Sequence, residues 1–267
     1  MRMMEKMKLP WKKDMKIGVA LGGGGVRGLA HIALLEVFDE MGITPCCIAG
    51  TSMGAVIGVL YSSGIKAEVI RKELLTEGRR RINFPGFDEF QDLLKWIQFV
   101  KPGVYGRSLF RADKFIDYLL GRIKSLKFEE LKIPLKVVAA DFWKREQVVF
   151  SSGSLQEAIK ASMAVPGVFA PVQYKDKLLV DGGIVNPVPW DVLPDDCDIR
   201  IAIEVTGTRT GTPASKPFIS DILFNSFEAI EHNLNRVKRE MDPPDIYIEP
   251  VLPDIDIFDF HKTSNVS

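Results

Sequence analysis

Excess charge is missing from this chain: 35 Lys and Arg residues face 35 Asp and Glu residues among 267. Without a net basic field, a general nucleic-acid binder is excluded as a first expectation, and affinity for a polyanion or membrane has to come from a local patch. Cysteine is scarce, with only Cys46, Cys47 and Cys197. An odd count with two adjacent members is no disulfide framework, so a reducing, cytoplasmic setting is the default. No apolar run reaches the length of a membrane-spanning helix, and the basic start MRMMEKMKLPWKKDMK lacks the apolar segment of a signal peptide. The expectation is a soluble protein that touches a membrane at most peripherally. Histidine is rare too, with only His31, His232 and His261. Internal repeats and low-complexity tracts are absent.

What is present is ordinary globular material. Apolar residues make up 46% and charged residues 26%, which suits a chain able to bury a sizeable core. Lys16–Leu21 reads as a buried parallel strand. Four glycines follow, Gly22 to Gly25. Val26 to Met41 then reads as a helix with Leu29, Ile32, Ala33, Val37 and Met41 on its apolar face and Gly42 as its stop. A second short strand, Cys46–Ala49, meets Gly50-Thr51-Ser52-Met53-Gly54, and another helix runs to about Ser62. Strand, glycine turn and helix, twice over, predict an α/β protein with a mainly parallel sheet covered by helices.

Beyond Lys66 the pattern turns helical and aromatic, which predicts a helical insertion over 66–127. The sheet resumes at Leu135–Ala140 and Gln147–Phe150. Ser154 starts a helix reaching Met163, with Glu157 in capping-box position. Val172–Val180 carries a hairpin turn at Lys175-Asp176-Lys177, and Ile199–Val205 is a further strand. Ile219 to Met241 forms a long amphipathic helix with Ile219, Ile222, Leu223, Ile230, Leu234, Val237 and Met241 on one stripe. Asp245–Glu249 is a last strand. The organisation is a basic arm over 1–15, one domain over 16–250 and a tail over 251–267.

Two glycine loops carry the chemistry. Gly50-Thr51-Ser52-Met53-Gly54 is a G-x-S-x-G sequence between a strand and a helix. Its glycines allow the sharp turn that lifts a serine hydroxyl above the sheet as a nucleophile, although a plain helix cap would use the same residues. Gly22 to Gly28 offers open backbone N–H groups. Gly23, Gly25 and Gly28 satisfy the dinucleotide fingerprint, but the acid expected at the end of the next strand is replaced by Ala49-Gly50-Thr51-Ser52. A Walker loop would need Gly-Lys-Ser/Thr, which is absent. An oxyanion loop beside a nucleophilic serine accounts for both glycine segments together.

The serine needs a base. His232 and His261 fall in polar stretches, and His31 sits where a helix anchor would, so a Ser-His-Asp triad has little support. Asp181 is the stronger candidate, because Asp181-Gly182-Gly183 follows an apolar strand and glycine permits close approach. An Asx turn is the competing reading of the same three residues.

GGGGVRGLAH, GTSMG, ASMAVPGVFAP and DGG, in this order over Lys16–Val205, resemble the patatin-like phospholipase family. That resemblance implies a three-layer α/β/α sandwich and acyl-ester hydrolysis by a Ser-Asp dyad, with water as acceptor and neither metal nor cofactor. It assigns Ser52 as nucleophile, Asp181 as base, Gly23, Gly24 and Gly25 as the oxyanion loop and Arg27 as its brace. Gly28, Gly50, Gly54, Gly182 and Gly183 support those motifs. The implied partner is a lipid or other acyl ester. Arg79-Arg80-Arg81 before Phe84, Phe87, Phe90, Trp96 and Phe99 suits an anionic membrane surface, though a solvated charge run beside core aromatics explains it as well. The rival functions are a non-catalytic lipid-binding or regulatory protein on the same fold, and a dinucleotide-binding module.

Overall fold

A computed structural model describes residues 15–76, 116, 120, 121, 123, 125–206 and 219–251. The first strand, β1 (Ile17–Leu21), alternates large and small side chains, and that alternation repeats across its neighbours. Ile17, Val19 and Leu21 join Ile48, Val137, Ile201 and Ile203 in the main core, whereas Ala20 joins Cys47, Ala49 and Ala202 on the opposite face. Period-two alternation of this kind gives a sheet one deep and one shallow face. The shallow face lets Trp190, Val188 and Leu193 approach closely.

The remaining strands are β2 (Cys47–Thr51), β3 (Leu135–Asp141), β4 (Glu146–Phe150), β5 (Val172–Tyr174), β6 (Lys177–Asp181), β7 (Ile199–Ile203) and β8 (Ile246–Ile248). They form one sheet in the order β5-β6-β3-β2-β1-β7-β8, with β4 also on β3. The β3-β2-β1-β7-β8 part is parallel, while β4, β6 and β5 join antiparallel. The sheet is therefore mixed, with its larger part parallel as expected and an antiparallel part at β4, β6 and β5. Tight hairpins after β3 and β5 make the difference, because short turns connect only antiparallel neighbours. Lys175, at φ 52°, forms one of those turns as expected.

Helices α1 (His31–Met41), α2 (Met53–Ser62), α3 (Ala67–Arg71) and α4 (Leu155–Ser162) cover the deep face, and α5 (Ile219–Met241) packs by its C-terminal part near Trp190 on the other. The predicted single helix from Val26 divides in two: Gly25–Ala30 is a 3-10 segment, and the α-helix starts at His31. Its buried face is Ile32, Leu35 and Phe38, while Ala33, Val37 and Met41 are exposed. Both stripes are apolar, and the bulkier one fills the core. Gly42 closes the helix in the left-handed conformation, as the sequence suggests. Ser154 caps α4, its hydroxyl accepting the Glu157 N–H at 3.3 Å.

The largest departure is α5. Its boundaries agree with the sequence reading, but its apolar stripe faces solvent: Leu223 is 63% and Met241 81% exposed, with Ile222, Ile230 and Val237 also exposed. Glu228, Glu231 and Asn235 turn inward instead. The inner face meets the Gly182–Ile184 turn and Arg27, a polar rim of strand ends rather than the sheet's apolar surface. Of the predicted insertion, α3 and a π-helical turn at Lys72–Thr76 are described, and Ile116, Leu120 and Ile123 are buried in the core. Arg79–Arg81 with the aromatics after them, the arm up to residue 14, the tail beyond 251 and His261 lie outside the described residues.

Candidate active site

Strand register brings the site together. On β3, Val138 pairs with Thr51 of β2, and the next residue, Ala139, pairs with Asp181 of β6. β4 pairs with Val137–Asp141, so it takes the whole second edge. β2 and β6 must then share the first edge, running towards each other and meeting end to end. Ser52 follows one of these ends, and Asp181 is the other.

Ser52 adopts φ 53° and ψ −122°, a backbone conformation that costs a non-glycine residue about 1–3 kcal/mol. Two glycines make the turn possible by close approach. A side-chain carbon on Gly50 would lie 2.6 Å from Ala55 N, and one on Gly54 would overlap the carbonyl of Leu21. The strain is held by hydrogen bonds. Ser52 N–H donates to Ser162 Oγ at 2.8 Å, and that hydroxyl donates to Val138 O at 2.7 Å. Thr51 Oγ1 donates to Asn186 O at 2.8 Å. Ser52 itself sits at the N-terminus of α2, where developing negative charge is favoured.

Asp181 is 1% exposed. Its N–H donates to Ala164 O at 2.9 Å, and its Oδ1 accepts the Gly183 N–H at 2.8 Å. The Asx-turn reading of the sequence is thus correct for one oxygen. The other, Oδ2, is buried with no partner in full hydrogen-bond geometry, although the Ser52 hydroxyl is close enough to favour the ionised carboxylate. Burial outweighs that help and the Gly183 N–H, and pushes the carboxyl up to about 7. Ser162 and Ala164 explain why the ASMAVPG segment matters: one holds Ser52 and the other holds Asp181.

The glycine loop lies beside them. Gly24 (φ 144°) and Gly25 (φ 55°) take backbone conformations that L side chains rarely adopt. Gly23 N–H already donates to Pro187 O at 3.0 Å, so it is not open to a further acceptor as the sequence reading expected. The N–H groups of Gly24 and Gly25 make no backbone hydrogen bond among the described residues. Arg27, 4% exposed, donates to Thr206 O at 2.7 Å and pairs with Glu228 at 3.4 Å. It ties the loop to the segment after β7 and to α5.

The two described histidines have other partners. His31 is buried and its Nε2 lies 2.8 Å from Gly22 O. A carbonyl can only accept, so Nε2 carries the proton, and burial pushes the imidazole down to about 4. His232 is not simply solvated: Nδ1 meets Glu204 Oε1 at 3.3 Å. Cys47 is buried and Cys46 half-buried, with its sulfur 3.3 Å from that of Cys197, and all three are free. Among the described residues no three His, Cys, Asp or Glu side chains group as metal ligands.

Sequence reasoning missed Ser162 as the partner of Ser52, and missed the inward row Glu228, Glu231 and Asn235. The available signal for that row was its position opposite the apolar stripe of α5.

The family profile of Patatin-like phospholipase matches residues 19–194. An uncharacterised NTE family protein of Mycobacterium tuberculosis is 32% identical over 197 residues, 73% of this chain and 51% of that protein. Neuropathy target esterase sws of Drosophila melanogaster is 30% identical over 185 residues, 68% of this chain and 12% of that protein. The crystal structure of VipD from Legionella pneumophila shares the fold at a TM-score of 0.51 and 13% identity, covering 96% of this chain and 67% of that one. This chain spans about half the length of the mycobacterial relative. With the profile running from β1 past the Asp181 turn, the chain belongs to the patatin-like phospholipase family.

Proposed function

We propose that this protein hydrolyses lipid acyl esters through Ser52 and Asp181. The observation that carries the reading is the strained Ser52 facing the buried carboxyl of Asp181, which burial pushes up to about 7. A free aspartate, titrating near ~4, is a feeble base for a hydroxyl. At about 7 the carboxylate is a better one and is still ionised in good part at neutral pH.

In this mechanism the Ser52 hydroxyl gives its proton to Asp181 as its oxygen attacks the ester carbonyl. The carbonyl oxygen becomes an oxyanion, received by the N–H groups of Gly24 and Gly25 and by the N-terminus of α2. One such donor is typically worth about 3 kcal/mol. Collapse expels the alcohol, which takes the proton back from Asp181 and leaves the acyl group on Ser52. Water then attacks the acyl group as Asp181 removes its proton, and the second intermediate collapses with Ser52 Oγ taking that proton back from Asp181 as the carboxylic acid departs. Arg27 holds the loop without touching the reacting atoms. The family name and the esterase title of the fly relative support a lipid or other acyl ester as substrate.

The test is labelling with a fluorophosphonate followed by a panel of esters of increasing chain length. One residue, Ser52, should be labelled, and Ser52→Ala should lose both label and turnover. Labelling that persists in folded Ser52→Ala refutes the assignment. A His232 variant as inactive as Asp181→Asn would return the reaction to a histidine base.

A further inference from the structure

One inward residue of α5 has no part in the chemistry above. Glu231 is 3% exposed. A side-chain carbon on Gly183 would overlap its Oε1, and one on Gly23 would sit 3.6 Å from that oxygen and 3.4 Å from Ser52 Cβ. The carboxyl thus fills the space that two bare glycines leave between the Asp181 turn and the glycine loop. The same carbon on Gly183 would be 3.2 Å from Asp181 Oδ1, so the two carboxyls face each other within about 5 Å. Like charges at that range oppose each other's ionisation.

The surroundings offer Glu231 little relief. Asp181 from β6, Glu204 from the end of β7 and Glu228 one turn back on α5 face it, opposed by Arg27. Arg27 already serves Thr206 O and Glu228. Glu204 has its own neighbours in the hydroxyls of Thr206 and Tyr247 and in His232. Asp181 has the Gly183 N–H. Among the described residues no N–H or O–H donates to Glu231. Burial first, and then the charge on Asp181, hold its carboxyl well above the usual carboxylate range.

We propose that Glu231 is a positioning residue that supports the Ser52 site only as a neutral carboxyl, filling the gap between Gly183 and Gly23, and that its ionisation switches the site off. The proposal rests on the Ser52–Asp181 reading. Asp181 loses its proton first, because Ser52 and the Gly183 N–H favour its anion, and that charge delays Glu231. At higher pH Glu231 releases its own proton to solvent. A second negative charge then lies beside the loop where the oxyanion must form, and turnover falls. Two coupled carboxyls titrate in two macroscopic steps, so the pH profile is a bell whose alkaline side belongs to Glu231.

The experiment measures kcat/KM on a short soluble ester across both limbs, with Ser52→Ala as the blank for spontaneous hydrolysis. Wild type, Glu231→Gln and Glu231→Met are compared; neither replacement can ionise, and the Met variant serves if the Gln variant does not fold. Wild-type activity should fall about tenfold per pH unit beyond the second step, whereas both variants should stay within about twofold of their plateau there. The acidic limb should remain. An infrared difference between wild type and Glu231→Gln supplies a readout independent of turnover. It should show the carbonyl stretch of a protonated carboxyl at neutral pH, disappearing across the alkaline limb. A purely structural role would scale both limbs equally and leave the bell intact, which overturns the proposal, as does the absence of that infrared band. Wild type inert towards every ester would instead sink the hydrolase reading, while the band would still support a neutral Glu231.

Discussion

Replacing Asp181 by Asn should exchange activity for stability. In the fold, burial pushes this carboxyl from 3.8 up to about 7, against the pull of Ser52 and the Gly183 N–H. The unfolded chain releases the proton near its ordinary value, while the folded chain keeps it until near neutrality. A folded-state pKa raised in this way leaves stability intact below about pH 4 and removes it progressively as pH climbs through about 7. A gap of roughly three pH units corresponds to about 4 kcal/mol. Asparagine has the same shape and keeps the Oδ1 that accepts from Gly183, but it carries no charge to desolvate. The variant should therefore be more stable than wild type by about 4 kcal/mol at about pH 8, with the difference vanishing towards about pH 4. For a domain of this size that is a rise of about 8 °C in melting temperature at the alkaline end. Turnover should fall by about 10²–10⁴, the usual worth of a positioned base. Urea unfolding of both proteins at several pH values checks the first part, and ester hydrolysis checks the second. Parallel stability curves for the two proteins, or an Asn variant weaker at every pH, would refute the reasoning. Loss of the Asp181 charge also relieves Glu231, whose carboxyl that charge holds up, so the effect of Glu231 adds to the difference in the same direction.

Removing the buried cation by Arg27→Met should cost about 3–5 kcal/mol, because Glu228 loses its ion-pair partner in a buried site. A double-mutant cycle with Glu228→Gln should recover part of that loss, and strict additivity in urea unfolding would contradict the pairing. Ile230→Lys should change stability by no more than about 0.5 kcal/mol, since its side chain faces water on α5. A loss of several kcal/mol in the urea midpoint would mean that the stripe is buried. Neutralising Arg79, Arg80 and Arg81 together should weaken binding to anionic vesicles, with each basic side chain near such a surface worth about 1 kcal/mol, and should spare hydrolysis of a soluble ester. Equal binding to neutral and anionic vesicles at all salt concentrations would dismiss a membrane role for the cluster.

The local signals in this chain were strong wherever backbone geometry depends on residue type. Glycine at Gly24, Gly25 and Gly54, the serine between Gly50 and Gly54, and the Ser154 cap are short-range requirements, so their turns were legible from spacing alone. The long helix Ile219–Met241 was equally legible in length, because periodicity and flanking breakers define its ends. Its orientation was not. Amphipathicity says that one face is apolar, and the usual inference turns that face inward. Here the inner side meets strand ends, Arg27 and the Asp181 turn, so the polar face turns in.

The meeting of Ser52 and Asp181 is likewise a tertiary fact. It depends on β2 and β6 sharing one edge of β3 in a particular register, between segments more than a hundred residues apart. Sequence alone determined which residues could act as nucleophile and carboxylate, because those roles need particular side chains on permissive turns. Only the folded structure decided how far Asp181 is buried, that Gly23 is already bonded, and that Glu231 lies against the same glycines. Burial and charge proximity are sums over all neighbours in space, and a linear sequence does not name those neighbours.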